Sequence, residues 1–350
     1  MGRQPGPLLR AGAVEVRQAA NECSVYGQNP AIIGFMRYSI GLFAGLLLLG
    51  SLARADEFVV SPDSDVVGEV RIIEARYEDT FVDLARRHNV GFEALRSANP
   101  GVDAWLPGEG TQIVIPAQFV LPRAERKGIV INLPELRLYY FPDDGSGRVI
   151  THPISIGRMD WTTPLGRTTV VGKTLNPAWY PPQSIREEHA AENDPLPAVV
   201  PPGPDNPLGT HALRLGIPGY LIHGTNKPSG VGMRVTHGCI RMFPEDIKAM
   251  YEMVPRGTQV RIVNQPYKLG WGEQGLYLEA HPPLGEERED DSWNATELTR
   301  LFVAATEERQ AQMSWELAER VMHDGRGVPQ FISTAGTDIR ASLGGETPLD

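Results

Sequence analysis

Cysteine is nearly absent: the 350 residues contain two, Cys23 and Cys239. An exported chain trimmed downstream of Cys23 would keep only Cys239. A lone cysteine cannot close an internal disulfide, so its thiol is buried and inert, paired between chains, a metal ligand or a nucleophile. Positive charge is also scarce. Lysine and arginine number 33 against 43 acidic residues, a formal net charge of −10. No Lys/Arg cluster stands out, which argues against a nucleic-acid groove. Long apolar runs are missing as well, since Ile40 to Leu49 is too short to cross a bilayer comfortably. Glycine and proline, by contrast, are plentiful at 37 and 30. They favour turns and loops over long helices, as in a β-rich enzyme rather than a helical bundle.

The first residues read as a targeting segment. Met36-Arg37-Tyr38 opens a short basic stretch, the apolar run follows, and Ser51-Leu52-Ala53-Arg54-Ala55 supplies the small residues of a signal-peptidase site. Cleavage is expected after Ala55. An uncleaved anchor is the competing reading, and the short run with its Ala-x-Ala site favours cleavage. Residues 1–35 have no such logic and read as a mis-called extension ahead of a true start at Met36. No cysteine follows the apolar run, so a lipoprotein anchor is not expected. The mature protein is expected to be soluble and periplasmic.

Two folded units and an extension follow. Residues 70–117 suggest a small β-α-α-β unit: Thr80 with Asp83 resembles a capping box, and Phe81, Leu84 and Ala85 form an apolar stripe. Asn99-Pro100-Gly101 stops a second helix begun at Phe92, and Gln112 to Pro116 forms a closing strand. Residues 127–264 turn to strands rich in β-branched and aromatic residues, at Ile129 to Asn132, Leu136 to Phe141, Val149 to Ile156, Thr168 to Val171, Tyr220 to His223 and Gln259 to Val263. A proline-rich excursion from Asn176 to Thr210 interrupts them. Loops of this length are functional or disordered. Here an ordered flap beside the active site is expected, with Trp179 and Tyr180 either contacting substrate or merely pinning the loop. Pro244 to Met253 reads as a helix, with Glu245 and Asp246 at its positive end. In the extension 265–333, Leu298, Leu301, Phe302 and Ala305 mark an amphipathic helix. Residues 334–350 read as a flexible tail, and the sequon at Asn294-Ala295-Thr296 as chance.

Chemistry concentrates around Cys239. It follows Thr236-His237-Gly238 and precedes Ile240-Arg241-Met242, with Leu221-Ile222-His223-Gly224-Thr225 upstream and Gly232 between. Thiolates form where cations and backbone N–H groups surround the sulfur, and two histidines with an arginine could converge here. This pattern resembles the signature of the L,D-transpeptidase (YkuD-type) family, with threonine in place of the commoner serine at 236. Residues 70–117 are similar to a LysM module, although Glu78 stands where glycine is usual.

The resemblance implies a mainly β fold with short helices: a β-sandwich or barrel-like catalytic domain behind a small βααβ module. It implies Cys239 as nucleophile and His223 as base and acid, here expected to titrate near an ordinary pKa. Backbone N–H groups of Gly238 and Cys239 would stabilise an oxyanion, and His237 and Arg241 would support or position. Gly224, Thr225 and Thr236 would line the substrate site. No cofactor is implied. The reaction would pass the acyl group of a peptidoglycan tetrapeptide stem through a Cys239 thioester, releasing D-alanine, to diaminopimelate on a second stem or to a lysine of an outer-membrane lipoprotein. Transfer to water would instead make an L,D-carboxypeptidase or hydrolase. Carbapenems would acylate Cys239. Two readings compete: a zinc site built from His223, His237 and Cys239 with His211 or water, and a non-catalytic LysM-type wall-binding protein.

Overall fold

A computed structural model describes residues 56–158, 161–285 and 295–334. The extension, the signal segment, Cys23, Asn294 of the sequon and all of the tail except Thr334 lie outside the described residues.

Nine strands form one sheet, in the order Asp56–Val59, Arg148–Pro153, Arg137–Phe141, Gly128–Asn132, Gln259–Val263, Gly166–Leu175, His211–Leu215, Leu221–His223 and Ile240–Arg241. Two of its pairings are parallel, Gln259–Val263 with Gly128–Asn132 and Leu221–His223 with Ile240–Arg241. The expected β-rich architecture with short helices is present. The order is open, however, rather than closed into a barrel. Both faces of the central strands are covered, which explains their unbroken apolar character. Ile129, Ile131, Leu138, Tyr140 and Ile150 point into one core, beneath Ile247 and Met250 of the helix Pro244–Met253. Val130, Tyr139, Phe141 and Val149 point the other way, onto Phe119 and Leu121. This alternation is the period of two that a strand imposes.

The N-terminal unit forms as its turn signals imply. Arg71–Glu74 pairs antiparallel with Gln112–Ile115 around the helices Phe81–Arg87 and Phe92–Ala98. Thr80 Oγ1 accepts from Asp83 N at 3.2 Å, the capping contact expected of that pair. The unit sits directly on the larger domain. Arg86 forks onto Glu245 at 2.8 and 2.9 Å. Gly91 packs so closely on Gly232 that a Cβ on Gly232, at φ +85, would lie 2.4 Å from Gly91 Cα.

Composition did not anticipate several elements. Asp56–Val59, outside both expected units, adds an edge strand by pairing with Arg148–Thr151. His211–Leu215 and the helix Gln183–Ala191 were hidden inside and beside the proline-rich excursion. In the extension, Tyr267–Gly272 and Gly275–Ala280 form a hairpin, and a second helix, Trp315–Asp324, joins Ala295–Thr306. Buried polar groups fasten this extension to the main sheet. Lys268 Nζ lies 2.7 Å from Glu135 and 2.9 Å from Glu279, all three almost fully buried. Glu279 also accepts from Val120 N at 2.6 Å and meets His281 Nε2 at 2.6 Å.

Candidate active site

The parallel pairing of Ile222 with Ile240 and of His223 with Arg241 sets the site. Ile222 and Ile240 face the core. Alternation therefore turns Leu221, His223 and Arg241 to the opposite face, and Cys239, in the bend just before Ile240, joins that face by packing on Leu221. Cys239 packs there with Leu221 and Leu208, and its Sγ donates to Gly219 O at 3.6 Å. Both the thiol and the imidazole are buried.

Hydrogen bonds select the imidazole tautomer. His223 Nδ1 lies 2.6 Å from Gly224 O, so Nδ1 carries the proton and Nε2 keeps a lone pair. Burial first, then the Arg241 charge, pulls the His223 pKa down to about 3, against the raising pull of the Gly224 and Leu208 carbonyls. This corrects the expectation of an ordinary histidine pKa, because no sequence motif reports how deeply a ring is buried. Arg241 is itself lowered by burial and raised by Cys239, so the three groups share one field.

The nucleophile's loop is held by Thr236. Its Oγ1 donates to Cys239 O at 2.6 Å and accepts from Gly238 N at 3.2 Å. This is a second correction: Gly238 N–H is spent inside the loop and is not aimed at an incoming carbonyl. Glycine is required at 238 for another reason. Its φ is +101, and an added Cβ would come 3.1 Å from the Tyr220 ring. Gly224 and Thr225 likewise have internal duties. Gly224 supplies the carbonyl that holds His223, and Thr225 Oγ1 caps Lys227 N at 2.9 Å.

The excursion covers this face. Trp179 packs on the Leu208, Leu221 and Cys239 cluster and exchanges backbone bonds with Val200 at 2.9 and 2.8 Å, while Tyr180 is partly buried. Glu188, on the helix Gln183–Ala191, meets His237 Nε2 at 3.2 Å and is also bound by Arg158 Nη2. Trp161 stands edge-on to the His237 ring, with centroids 5.1 Å apart. Sequence reading missed Glu188, Arg158, Leu208 and Gly219, because their partners lie far along the chain or are backbone atoms.

His211 sits apart, its ring edge-on to Tyr251. Among the described residues, the group with ligand atoms within 4.8 Å of one another is Glu135, Glu279 and His281. That group excludes His223, His237 and Cys239, so the zinc reading finds no cluster around the thiol. The Lys268 ammonium already contacts both carboxylates.

On this β-rich fold a buried cysteine and a tautomer-locked histidine share one sheet face beneath a covering segment. Known proteins narrow this further. The YkuD L,D-transpeptidase catalytic domain matches residues 126–262. "Probable L,D-transpeptidase YcfS" of Escherichia coli K12 is 42% identical over 294 residues, covering 82% of this chain and 91% of that protein. "Probable L,D-transpeptidase YbiS" of the same strain is 46% identical over 203 residues, 57% of this chain and 66% of that one. The solved L,D-transpeptidase 3 from Mycobacterium tuberculosis shares 18% identity and a TM-score of 0.30, covering 44% of this chain and 67% of its own. The chain belongs to the L,D-transpeptidase family.

Proposed function

We propose that the protein is a cysteine-dependent L,D-transpeptidase of peptidoglycan stem peptides. The observation that carries this reading is the placement of His223 and Cys239 on one sheet face, with Nδ1 of the histidine committed to Gly224 O. Neutral imidazole presents Nε2 as proton acceptor. As Cys239 Sγ attacks the carbonyl at the stem's L-centre, the thiol proton passes to Nε2 and then to the departing amine of D-alanine, leaving a thioester. An acceptor amine next attacks the thioester and gives its proton to Nε2, which returns it to sulfur. Of the two oxyanion donors expected, Gly238 N–H and Cys239 N–H, the second is proposed to serve. Trp179 packs against the cluster that holds Cys239 and is proposed to contact the stem.

The reading extends to the rest of the chain. The signal-like run, with cleavage after Ala55, is proposed to direct export to the periplasm. On the βααβ unit Tyr77 and Trp105 are 82% and 63% exposed, which offers aromatic faces to glycan rings and supports LysM-type binding. The acceptor amine is proposed to belong to a lipoprotein lysine or to diaminopimelate.

Incubation with a disaccharide-tetrapeptide and a lysine-ended lipoprotein peptide, followed by mass spectrometry, tests the proposal. Conjugate, cross-linked dimer and tripeptide have distinct masses and identify the acceptor as lysine, stem or water. Cys239→Ala should form none of them. Folded wild-type protein that releases no D-alanine and carries no acyl group on Cys239 would refute it.

A further inference from the structure

The segment 176–210 touches each of the three residues that flank the thiol chemistry. Trp179 packs against the Cys239 cluster. The Leu208 carbonyl faces the His223 ring. Glu188 reaches His237, the residue two before the nucleophile. The first two contacts are apolar or made by backbone. Only the third is made between polar side chains and includes a charge pair, Glu188 with Arg158, and it has two anchors: His237 on the nucleophile's loop, and Arg158, whose own N–H donates to Thr236 O at 3.0 Å.

With Cys239 only 7% exposed and His223 only 4%, a stem peptide cannot reach the sulfur while this cover lies down. The cover must lift to admit substrate and must return to exclude water from a thioester. A fastening suited to that cycle has to be moderate in strength and reversible. Side-chain exposures of 27% for Glu188, 38% for Arg158 and 24% for His237 leave the trio within reach of water and salt. A dry apolar seam would not respond to salt in this way.

We infer that Glu188 is a positioning residue: its carboxylate clips the cover to the nucleophile's loop through His237 and Arg158, and substrate enters by releasing that clip. The carboxylate also fixes His237. Glu188 can only accept while ionised, so the Nε2 proton of His237 points at it and the ring cannot flip freely. The link to catalysis rests on the proposed transpeptidase reading, whereas the clip itself can be tested without it.

The experiment measures alkylation of Cys239 by iodoacetamide in the full chain, at low and high salt, for wild type, Glu188→Gln, Glu188→Ala and Trp179→Ala. Circular dichroism confirms that each variant is folded. Breaking a partly exposed, charge-assisted contact should speed alkylation by about fivefold to tenfold in Glu188→Ala, with Glu188→Gln between it and wild type. Salt should accelerate wild type and Trp179→Ala but leave Glu188→Ala unchanged, a response that a merely structural glutamate would not give. Equal rates for wild type and Glu188→Ala at both salts would overturn the clip. So would wild-type alkylation as fast as that of a short unfolded peptide spanning Cys239. With tetrapeptide, Glu188→Ala should lose kcat more than it changes KM. If wild type shows the salt-dependent protection but no turnover, the clip stands and the transpeptidase reading fails.

Discussion

Acid should destabilise this protein through His223 by an amount that can be worked out. The folded imidazole titrates at about 3, against an ordinary value of 6.5. Between those values the unfolded chain binds a proton that the folded chain refuses, so stability falls as pH drops through 6.5 and continues to fall towards 3. Each unit of pH inside the window costs about 1.4 kcal/mol. At pH 4.5, two units below the unfolded value, His223 alone should remove roughly 2.7 kcal/mol relative to pH 7. His223→Gln keeps an amide that can donate to Gly224 O and cannot be protonated in this range. Urea unfolding of both proteins at pH 7 and pH 4.5 isolates the effect, because the other titrating groups cancel in the difference. Wild type should lose about 2–3 kcal/mol more than the variant over that interval. An equal loss in the two proteins would mean that the folded ring takes up its proton as readily as the unfolded one, and the buried, desolvated imidazole would be refuted.

Three further outcomes follow from named contacts. Thr236→Val removes the hydroxyl that joins Gly238 N to Cys239 O, so turnover should fall at least about tenfold, while Thr236→Ser retains it; steady-state kinetics decides. Lys268→Met strands Glu135 and Glu279 without their cation and should cost about 3–5 kcal/mol in a urea titration; a change below about 1 kcal/mol would show that the cluster is solvated. Gly232→Ala drives a methyl into Gly91 from a left-handed backbone and should cost about 2–4 kcal/mol, whereas Gly101→Ala, also at positive φ but with open space, should cost less; paired thermal melts separate clash from backbone strain.

Much of the fold was written in local patterns. Thr80 with Asp83, the stripe Phe81, Leu84 and Ala85, and the stop at Asn99-Pro100-Gly101 reappear as cap, buried face and helix end of the N-terminal unit. Strands such as Gly128–Asn132 were legible because β-branched residues follow one another without a break. The strand Asp56–Val59 was not. It is short and half polar, and it gains its pairing from Arg148–Thr151 some 90 residues away, as in Glu57 opposite Ile150. The extension's hairpin was hidden for a similar reason, since Lys268 and Glu279 break its apolar pattern and are tolerated only because they meet each other and Glu135.

The linear order His223, Thr236, His237, Gly238, Cys239, Arg241 was enough to propose the reactive atoms, because residue chemistry and close spacing travel with the chain itself. It could not say which donors were already engaged or which rings were dry. Packing decided that Gly238 N–H turns to Thr236, that His223 stays neutral beneath Leu208, and that Glu188 comes to hold His237 from 49 positions away. Hydrogen-bond satisfaction and burial depend on which distant surfaces meet, and neither quantity exists until the chain has folded.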